Sequence, residues 1–508
     1  MGQAAHEVYP YVTTMDERLF WNRLEFACML LLCATIPMNW RWTSYAMMAL
    51  CVIGLGKALR LGRTGDRLRW RRRAAFALLF ASVYLCYALS VLWSDNLREA
   101  GRMLDKKLPF LLFPLYFFLS DPHICSKQRR ALFYVLAGSV LAVFLANAGL
   151  ALADVLGGRA GTERFFNDKL LGIKYVHHTY MAMYACVGFA FCVLECQREG
   201  SIGRRWADAV LALLLALFVV LLESRAGLLC LLLLILFLFV RWMLLARKYL
   251  QGGLVAVALL LVSALVCARV PRVTERLAQT LQSLSSKTEP DNRVVQAQAY
   301  RPYLRQRLLF GVGCGDRIDA FRDCFSNAQD ALVRQVEAAP GANPLAFAEE
   351  RSRCMSVLGD SLYFYSMLHG DPWVDSVADA HHCDRASVER VLYRYLVLDR
   401  AVKNEYNAHN QYDDTLMATG VPGLLCLLAY LVAPLALWRK KRCADPLFIC
   451  FLIVFVFNAF FESVLEKQTG ILFFLFVYGL LFITQFPLHV YSSTIHSRTC
   501  DPSSGEPV

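Results

Sequence analysis

Residues 227–245 read GLLCLLLLILFLFVRWMLL, nineteen positions with a single charge, Arg241. A bilayer core of roughly 30 Å takes about 20 apolar residues per helix. In lipid each such segment must be helical, because nothing there pairs an open backbone group. The pattern recurs along the chain. Candidate spans lie at 24–39, 43–59, 74–93, 108–120, 131–152, 177–195, 207–223, 227–245, 250–269, 416–437, 446–463 and 470–486. The fourth is short and carries Pro109 and Pro114, so its ends are poorly marked. With 57% hydrophobic and 19% charged residues and a mean hydropathy of +0.42, the composition fits a membrane protein and not a set of soluble domains. The expected fold is therefore an all-α polytopic membrane protein of about twelve transmembrane helices. The first 23 residues are polar and lack a cleavable signal pattern, so the first span is expected to stay as a signal anchor.

Basic residues orient the spans. Residues 57–73 (KALRLGRTGDRLRWRRR), 126–130, 197–206, 241–248 and 438–442 all fall on one side, which becomes cytoplasmic together with both termini. Most of the +12 net charge is thus topogenic. Because each run is a short connector between spans, no nucleic acid is expected as partner; membrane lipids are. The division that follows is a bundle of spans one to nine (1–269), a large outer loop domain (270–412), spans ten to twelve (413–490) and a cytoplasmic tail (491–508). In the loop, SSKTEPDN and AAPGAN mark turns, while 328–338 and 385–402 have helical periodicity. The loop is read as a small, mainly helical domain between spans nine and ten.

Of eighteen cysteines, most, such as Cys28, Cys51, Cys186, Cys230 and Cys450, lie inside spans as small hydrophobes. Cys314, Cys324, Cys354 and Cys383 fall in the outer loop, where two disulfides are possible in any of three connectivities. No CxxC occurs, and the His-His pairs at 177–178 and 381–382 have no matching ligands in sequence, so no metal site is expected.

Several polar residues stand where apolar ones would be cheaper. Glu223 and Arg225 interrupt two apolar runs in LLESRAGLLC. A charge at membrane depth costs several kcal/mol unless paired or solvated. Arg225 is either a hairpin residue snorkelling to the interface or a guanidinium that grips an anionic headgroup. The outer loops are basic against the usual trend: Arg98, Arg102, Lys106 and Lys107 in one, Arg159, Arg164, Lys169, Lys174, His177 and His178 in the next. A basic vestibule that attracts a phosphorylated substrate would explain them, with Lys107 among its cations; an amphipathic, solvated turn explains part. Residues 290–316 read as a helix bearing Arg293, Arg301, Arg305 and Arg307, followed by a turn with Gly311, Gly313 and Gly315. No strand precedes this turn, so it is no nucleotide loop. Its glycines either pack backbone closely or line a site with amide donors. Finally, HNQYDDTLMATGVPGLL places His409, Asn410, Tyr412, Asp413 and Asp414 at the outer mouth of the tenth span. Histidine gains and loses a proton near neutrality, and Asn410 and Tyr412 add hydrogen-bonding groups.

These pieces together resemble the O-antigen ligase and O-antigen polymerase-like superfamily. His409-Asn410, nine residues, Gly420, two residues and Gly423 is similar to its signature. ESRAG resembles its membrane Ser-Arg element, and RPYLRQRLLFGVGCGD its arginine-bearing loop helix with a Gly-x-Gly turn. FNAFFES (457–463) and the major outer loop before the last three spans also fit. The resemblance implies a GT-C-type glycosyltransferase, independent of metal and cofactor, with its active site on the periplasmic face of the bacterial inner membrane. Its donor would be a polyprenyl-diphosphate-linked glycan and its acceptor, for the ligase branch, a sugar of the lipid A-core. By position His409 matches the catalytic histidine, as base or as diphosphate binder, and Arg225 the membrane arginine. Arg293 or Arg301 supplies the loop arginine; Asn410, Tyr412, Lys107, Gly311 and Gly313 complete the expected substrate site. The stretch CMSVLGDSL (354–362) and the acidic pair Asp413-Asp414 depart from the pattern and leave the acceptor open. A polymerase joining repeat units and a protein O-oligosaccharyltransferase are the enzymatic alternatives. A transporter fits less well, because its polar groups would sit at the bilayer midplane.

Overall fold

The computed structural model describes residues 3–61, 67–120, 122, 124–172, 176–198, 200–247, 292–337, 375, 378–379, 384–441 and 444–485. Among these residues there are helices and no strands. In chain order the helices are α1 (Gln3–Thr35), α2 (Trp40–Leu61), α3 (Arg67–Ser90), α4 (Leu97–Lys107), α5 (Pro109–Ser120), α6 (Ser126–Leu156), α7 (Asn167–Leu170), α8 (His178–Cys196), α9 (Ile202–Leu221) and α10 (Arg225–Ala246). There follow α11 (Asn292–Gln306), α12 (Arg317–Glu337), α13 (Arg385–Lys403), α14 (Gln411–Lys441), α15 (Pro446–Phe461) and α16 (Gln468–Gln485).

Among the described residues, seven segments are long and apolar enough to cross a membrane: Trp40–Leu61, Ala74–Trp93, Ser126–Leu156, His178–Cys196, Arg225–Ala246, Gln411–Arg439 and Gln468–Gln485. Pro446–Phe461 is apolar but shorter. The chain is an all-helical, multi-pass membrane protein. The spans expected at 24–39, 108–120 and 207–223 also fall on helices, α1, α5 and α9, while the one expected at 250–269 lies outside the described residues.

Contacts divide the chain into two units, one of residues 1–89, 102–242 and 425–508, the other of residues 90–101 and 243–424. This cut differs from a cut by topology: the start of α4 and the first turns of α14 group with the outer-loop helices.

In the first unit, α8 and α16 are the central helices, with 78% of their apolar windows buried, against 22% for α10. A helix apolar all round must be surrounded by protein or by lipid. Thus α8 and α16 face protein, while the leucines of α10 at 228, 229, 232, 233 and 236 face outward, as lipid-facing residues do. The interior is tied by tyrosines whose hydroxyls find main-chain carbonyls. Tyr478 donates to the Tyr430 oxygen at 2.6 Å, Tyr430 to that of Phe80 at 2.5 Å, and Tyr184 to that of Thr469 at 2.8 Å. Such pairing removes the cost of a hydroxyl in an apolar interior.

The second unit is built on α11, α12 and α13, which pack pairwise. Its core holds Val295, Tyr300 and Leu304 of α11, Phe321, Cys324 and Phe325 of α12, and Val397, Leu398 and Ala401 of α13, closed by Met417 of α14. The helical stretches expected at 328–338 and 385–402 coincide with the end of α12 and with α13. Among the described residues no disulfide forms. Cys314 and Cys324 are buried, and burial pushes the Cys324 thiol up to about 11. Cys354 and Cys383 lie outside the described residues, as do the second His-His pair and CMSVLGDSL.

Candidate functional site

The second unit gathers its polar groups where α14 begins. The chain leaves α13 at Lys403 and turns through Glu405 (φ 48°) and His409 (φ 46°), both in the left-handed region that is uncommon for a residue with a Cβ. Two asparagines hold that turn. The Asn407 side-chain oxygen accepts from the His409 amide at 3.1 Å. That of Asn410 caps α14, accepting from the amides of Tyr412 (2.9 Å) and Asp413 (3.2 Å). The Tyr406 ring meets the imidazole edge-on at 5.1 Å. His409, half-buried, is thereby fixed in position by its own neighbours. Backbone strain of this kind clusters at sites where a side chain has a task.

The acids of the first turn of α14 reach α11 and α12. Asp413 accepts from the Tyr300 hydroxyl at 2.7 Å and lies 3.4 Å from the Arg301 guanidinium. Burial first, then the Asp413 charge, holds the Tyr300 phenol above its ordinary range, so it remains a donor. Asp414, fully buried, pairs with Arg317, the first residue of α12. The sequence left open whether Arg293 or Arg301 belongs beside the histidine. Arg301 is the one bound to Asp413, four residues after His409; Arg293 sits eight residues earlier on α11, about 12 Å along the axis.

The two glycine motifs prove to be one piece of structure. Gly420 (φ 68°, ψ −161°) breaks α14, and Pro422 has no N–H to offer the carbonyl of Ala418. The turn after α11 fills the break. Val312 and Gly313 donate to the carbonyls of Met417 (2.8 Å) and Ala418 (3.2 Å), and Val421 donates to that of Leu308 (2.8 Å). A Cβ on Gly311 would stand 2.6 Å from the Met417 oxygen, and one on Gly420 would collide with the Leu309 oxygen. On its other side the turn is held by Ser90 and Ser94, whose hydroxyls accept from the amides of Cys314 (3.2 Å) and Gly315 (3.1 Å). The amides of Gly311 and Gly313 are thus spent on the main chain, at Arg307 and Ala418. Of the two readings open in the sequence, the structure has these glycines permit close packing.

In the first unit, α9 and α10 form a tight hairpin through Leu222, Glu223 (φ 46°) and Ser224. The Ser224 hydroxyl accepts from the Gly227 amide at 3.3 Å, and a Cβ on Gly227 would stand 2.7 Å from that of Ala182 on α8. Arg225, first residue of α10, is exposed on this anchored turn.

Lys107 sits in a setting that differs from the expected open vestibule. Its side chain is 1% exposed, and the ammonium donates to Glu466 (2.7 Å) and to the Leu465 carbonyl (2.5 Å), 4.6 Å over the Tyr87 ring. The Tyr87 hydroxyl also reaches Glu466, at 3.2 Å. Sequence reasoning missed Glu466 and Tyr87; the two acids, Glu462 and Glu466, between the apolar runs of α15 and α16 were the available signal. Tyr412 is half-buried beside the cap it helps form.

A second surprise concerns metal ligands. The first His-His pair does gain a partner, since the Asp168 carboxylate accepts from the His178 Nδ1 at 2.6 Å, and the ligand atoms of Asp168, His177 and His178 lie within 4.8 Å of one another. The His177 Nδ1 caps α8, accepting from Thr179 at 3.4 Å. This trio is the one group among the described residues with the donor set for a cation.

No curated protein matches the chain. Residues 210–342 match the family model described as O-antigen ligase, a stretch that holds Arg225, Arg293, Arg301 and the Gly-x-Gly turn and ends before His409. That match supports an O-antigen ligase- or polymerase-type membrane enzyme, and over those residues the chain is similar to the O-antigen ligase family.

Proposed function

We propose that the chain is an O-antigen ligase-type glycosyltransferase of GT-C architecture with about twelve spans, acting on the periplasmic face of the bacterial inner membrane. It transfers a glycan from polyprenyl diphosphate to a sugar hydroxyl of the lipid A-core. One observation carries this reading most: His409 is locked at the head of an apolar helix beside a cationic helix, α11, whose Arg301 is bound to the same turn. The family match over 210–342 agrees with it.

In the reaction, an acceptor oxygen attacks the anomeric carbon, the bond from that carbon to the diphosphate oxygen breaks, and polyprenyl diphosphate leaves. Negative charge grows on the leaving phosphate. Fixed guanidiniums, Arg225 and Arg301, stabilise it far better in a water-poor site than in water. The acceptor proton passes to His409, which acts as general base. With arginines taking up the charge, the step needs no metal. A single displacement inverts the anomeric configuration, which the product's anomeric signal reads directly.

The test is genetic and then chemical. Loss of the gene is expected to leave lipid A-core without long chains while polymer accumulates on its carrier. Core bearing one repeat unit would instead mark a polymerase, and unchanged lipopolysaccharide with underglycosylated secreted proteins a protein glycosylase. His409→Ala and Arg225→Ala are expected to insert normally and lose transfer by at least about 100-fold, the scale of a lost general base or oxyanion donor. Wild-type transfer in either variant would remove that residue from the mechanism.

A further inference from the structure

Beside the Gly-x-Gly turn the second unit holds a cavity of about 610 Å³. It is walled by the segment before α4, the end of α11 and the start of α12. That volume lies within the range of small-ligand sites, roughly 300–1,000 Å³. Two of the lining residues are aromatic, Trp93 and Tyr303. Trp93 is fixed by an edge-on contact with Phe310 at 6.0 Å, and the Arg307 guanidinium lies 5.8 Å over the Tyr303 ring.

The carboxylates of the wall divide into two kinds. Asp316 accepts from the amides of Asp95 (2.8 Å) and Asn96 (2.7 Å), and Asp319 from the Asn96 side chain (3.0 Å) and Arg322 (2.5 Å). Those two build the wall. Asp95 and Asp323 line the same space, and their carboxylates take no hydrogen bond from the described residues. An apolar ring face beside open carboxylates is complementary to a pyranose. The electron-rich aromatic face meets the sugar's C–H face, and a carboxylate, which only accepts, takes two neighbouring hydroxyls. Four aspartates against one arginine repel phosphate, so the cavity does not suit a diphosphate.

We propose that this cavity is a subsite for one neutral or amine-bearing sugar ring of a transferred or accepting glycan, with Trp93 as platform and Asp95 and Asp323 as hydroxyl acceptors. The identity of the sugar's source rests on the glycan-transfer reading; the sugar chemistry rests on the cavity. Its place fits the role. Tyr303 follows Tyr300 and Arg301 on α11, Arg307 stands just past its end, and Asp316 precedes Arg317, so the helices that hold the α14 acids also wall the cavity.

The experiment uses the full chain in lipid nanodiscs and calorimetric titration with two soluble probes. One is core oligosaccharide freed of lipid A; the other is the polymer's repeat unit freed from its carrier, without diphosphate. Binding of one probe is expected, and which one binds assigns the subsite to acceptor or donor. Asp323→Asn and Trp93→Ala should each weaken it at least tenfold, with helical content by circular dichroism unchanged. If neither probe binds, or if Asp323→Asn, a substitution free of folding contacts, binds the bound probe as tightly as wild type does, the proposal is overturned. The two readings fail separately. Sugar binding lost in Asp323→Asn while His409→Ala still transfers glycan would remove the mechanism and keep the subsite; normal transfer with no binding of free sugar would do the reverse.

Discussion

Two pairs of opposite charges, one in each unit, look alike in sequence and differ in kind. Lys107 and Glu466 are 1% and 4% exposed, at 2.7 Å, with a carbonyl and an aromatic ring completing the box. Arg301 and Asp413 are 54% and 15% exposed, at 3.4 Å, with the guanidinium open to solvent on most sides. The first pair has surrendered its water and has only its partners. The second keeps a hydrated cation at the edge of a cluster that includes His409. A buried pair is costly to break because it strands the surviving charge, whereas an exposed one contributes about 0–1 kcal/mol. Lys107 is thus enclosed by its partners, while the Arg301 guanidinium stays more than half exposed.

Removing Lys107 tests the first half of that contrast and should have the largest effect. Lys107→Ala leaves the Glu466 carboxylate buried among Tyr87 and the Leu465 carbonyl, and the expected loss is about 3–5 kcal/mol. Thermal unfolding in detergent would register this as a large fall in midpoint. The joint change Lys107→Met with Glu466→Leu should recover much of it, since no charge is then stranded. A Lys107→Ala protein as stable as wild type but unable to transfer glycan would return Lys107 to the substrate site.

Next in size is the break in α14. Gly420→Ala places a Cβ at φ 68° and against the Leu309 carbonyl, so a loss of roughly 2–3 kcal/mol is expected from left-handed strain and the forced shift of the turn. Because that turn also carries Gly311 and Val312 at the cavity wall, sugar binding should weaken together with stability. Gly101→Ala, inside a helix with open space around it, is the control and should be neutral or slightly stabilising.

How much of this was readable beforehand differs by feature, for physical reasons. Span positions and the helices α12 and α13 follow from local periodicity, so the sequence contains them. Glycine and proline act on their own backbone, yet the span expected at 416–437 runs straight through GVPG; that Gly420 breaks α14 there, and that GVGCG fills the break, needed the fold. Partners are what sequence hides. Glu466 is 359 positions from Lys107, and Asp316 meets Asn96 across 220, distances at which no pattern of spacing links two side chains. Lys107 therefore reads, in sequence, with the solvent-facing cations of its loop, and no spacing pattern ties the His177-His178 pair to Asp168. The residues of the α14 head were legible as a group for the opposite reason: His409, Asn410 and Asp413 are neighbours in the chain, and one capped turn brings them together.

The smallest structural effect should accompany the most informative functional one. Arg301→Ala removes a guanidinium that is more than half exposed, so stability should fall by no more than about 1 kcal/mol. The Tyr300 hydroxyl still supplies Asp413 with a hydrogen bond at 2.7 Å, which keeps that acid from being stranded. If Arg301 faces the leaving diphosphate, turnover should drop by about 100-fold or more. Arg301→Lys should restore only part, since an ammonium cannot make the two-pronged contact to phosphate. The same experiment run at Arg293 sharpens the choice between the two arginines. Should Arg293→Ala abolish transfer while Arg301→Ala leaves it intact, the charge-bearing face of α11 is the one two turns earlier, and the exposed pair with Asp413 becomes a tether of α14 and nothing more.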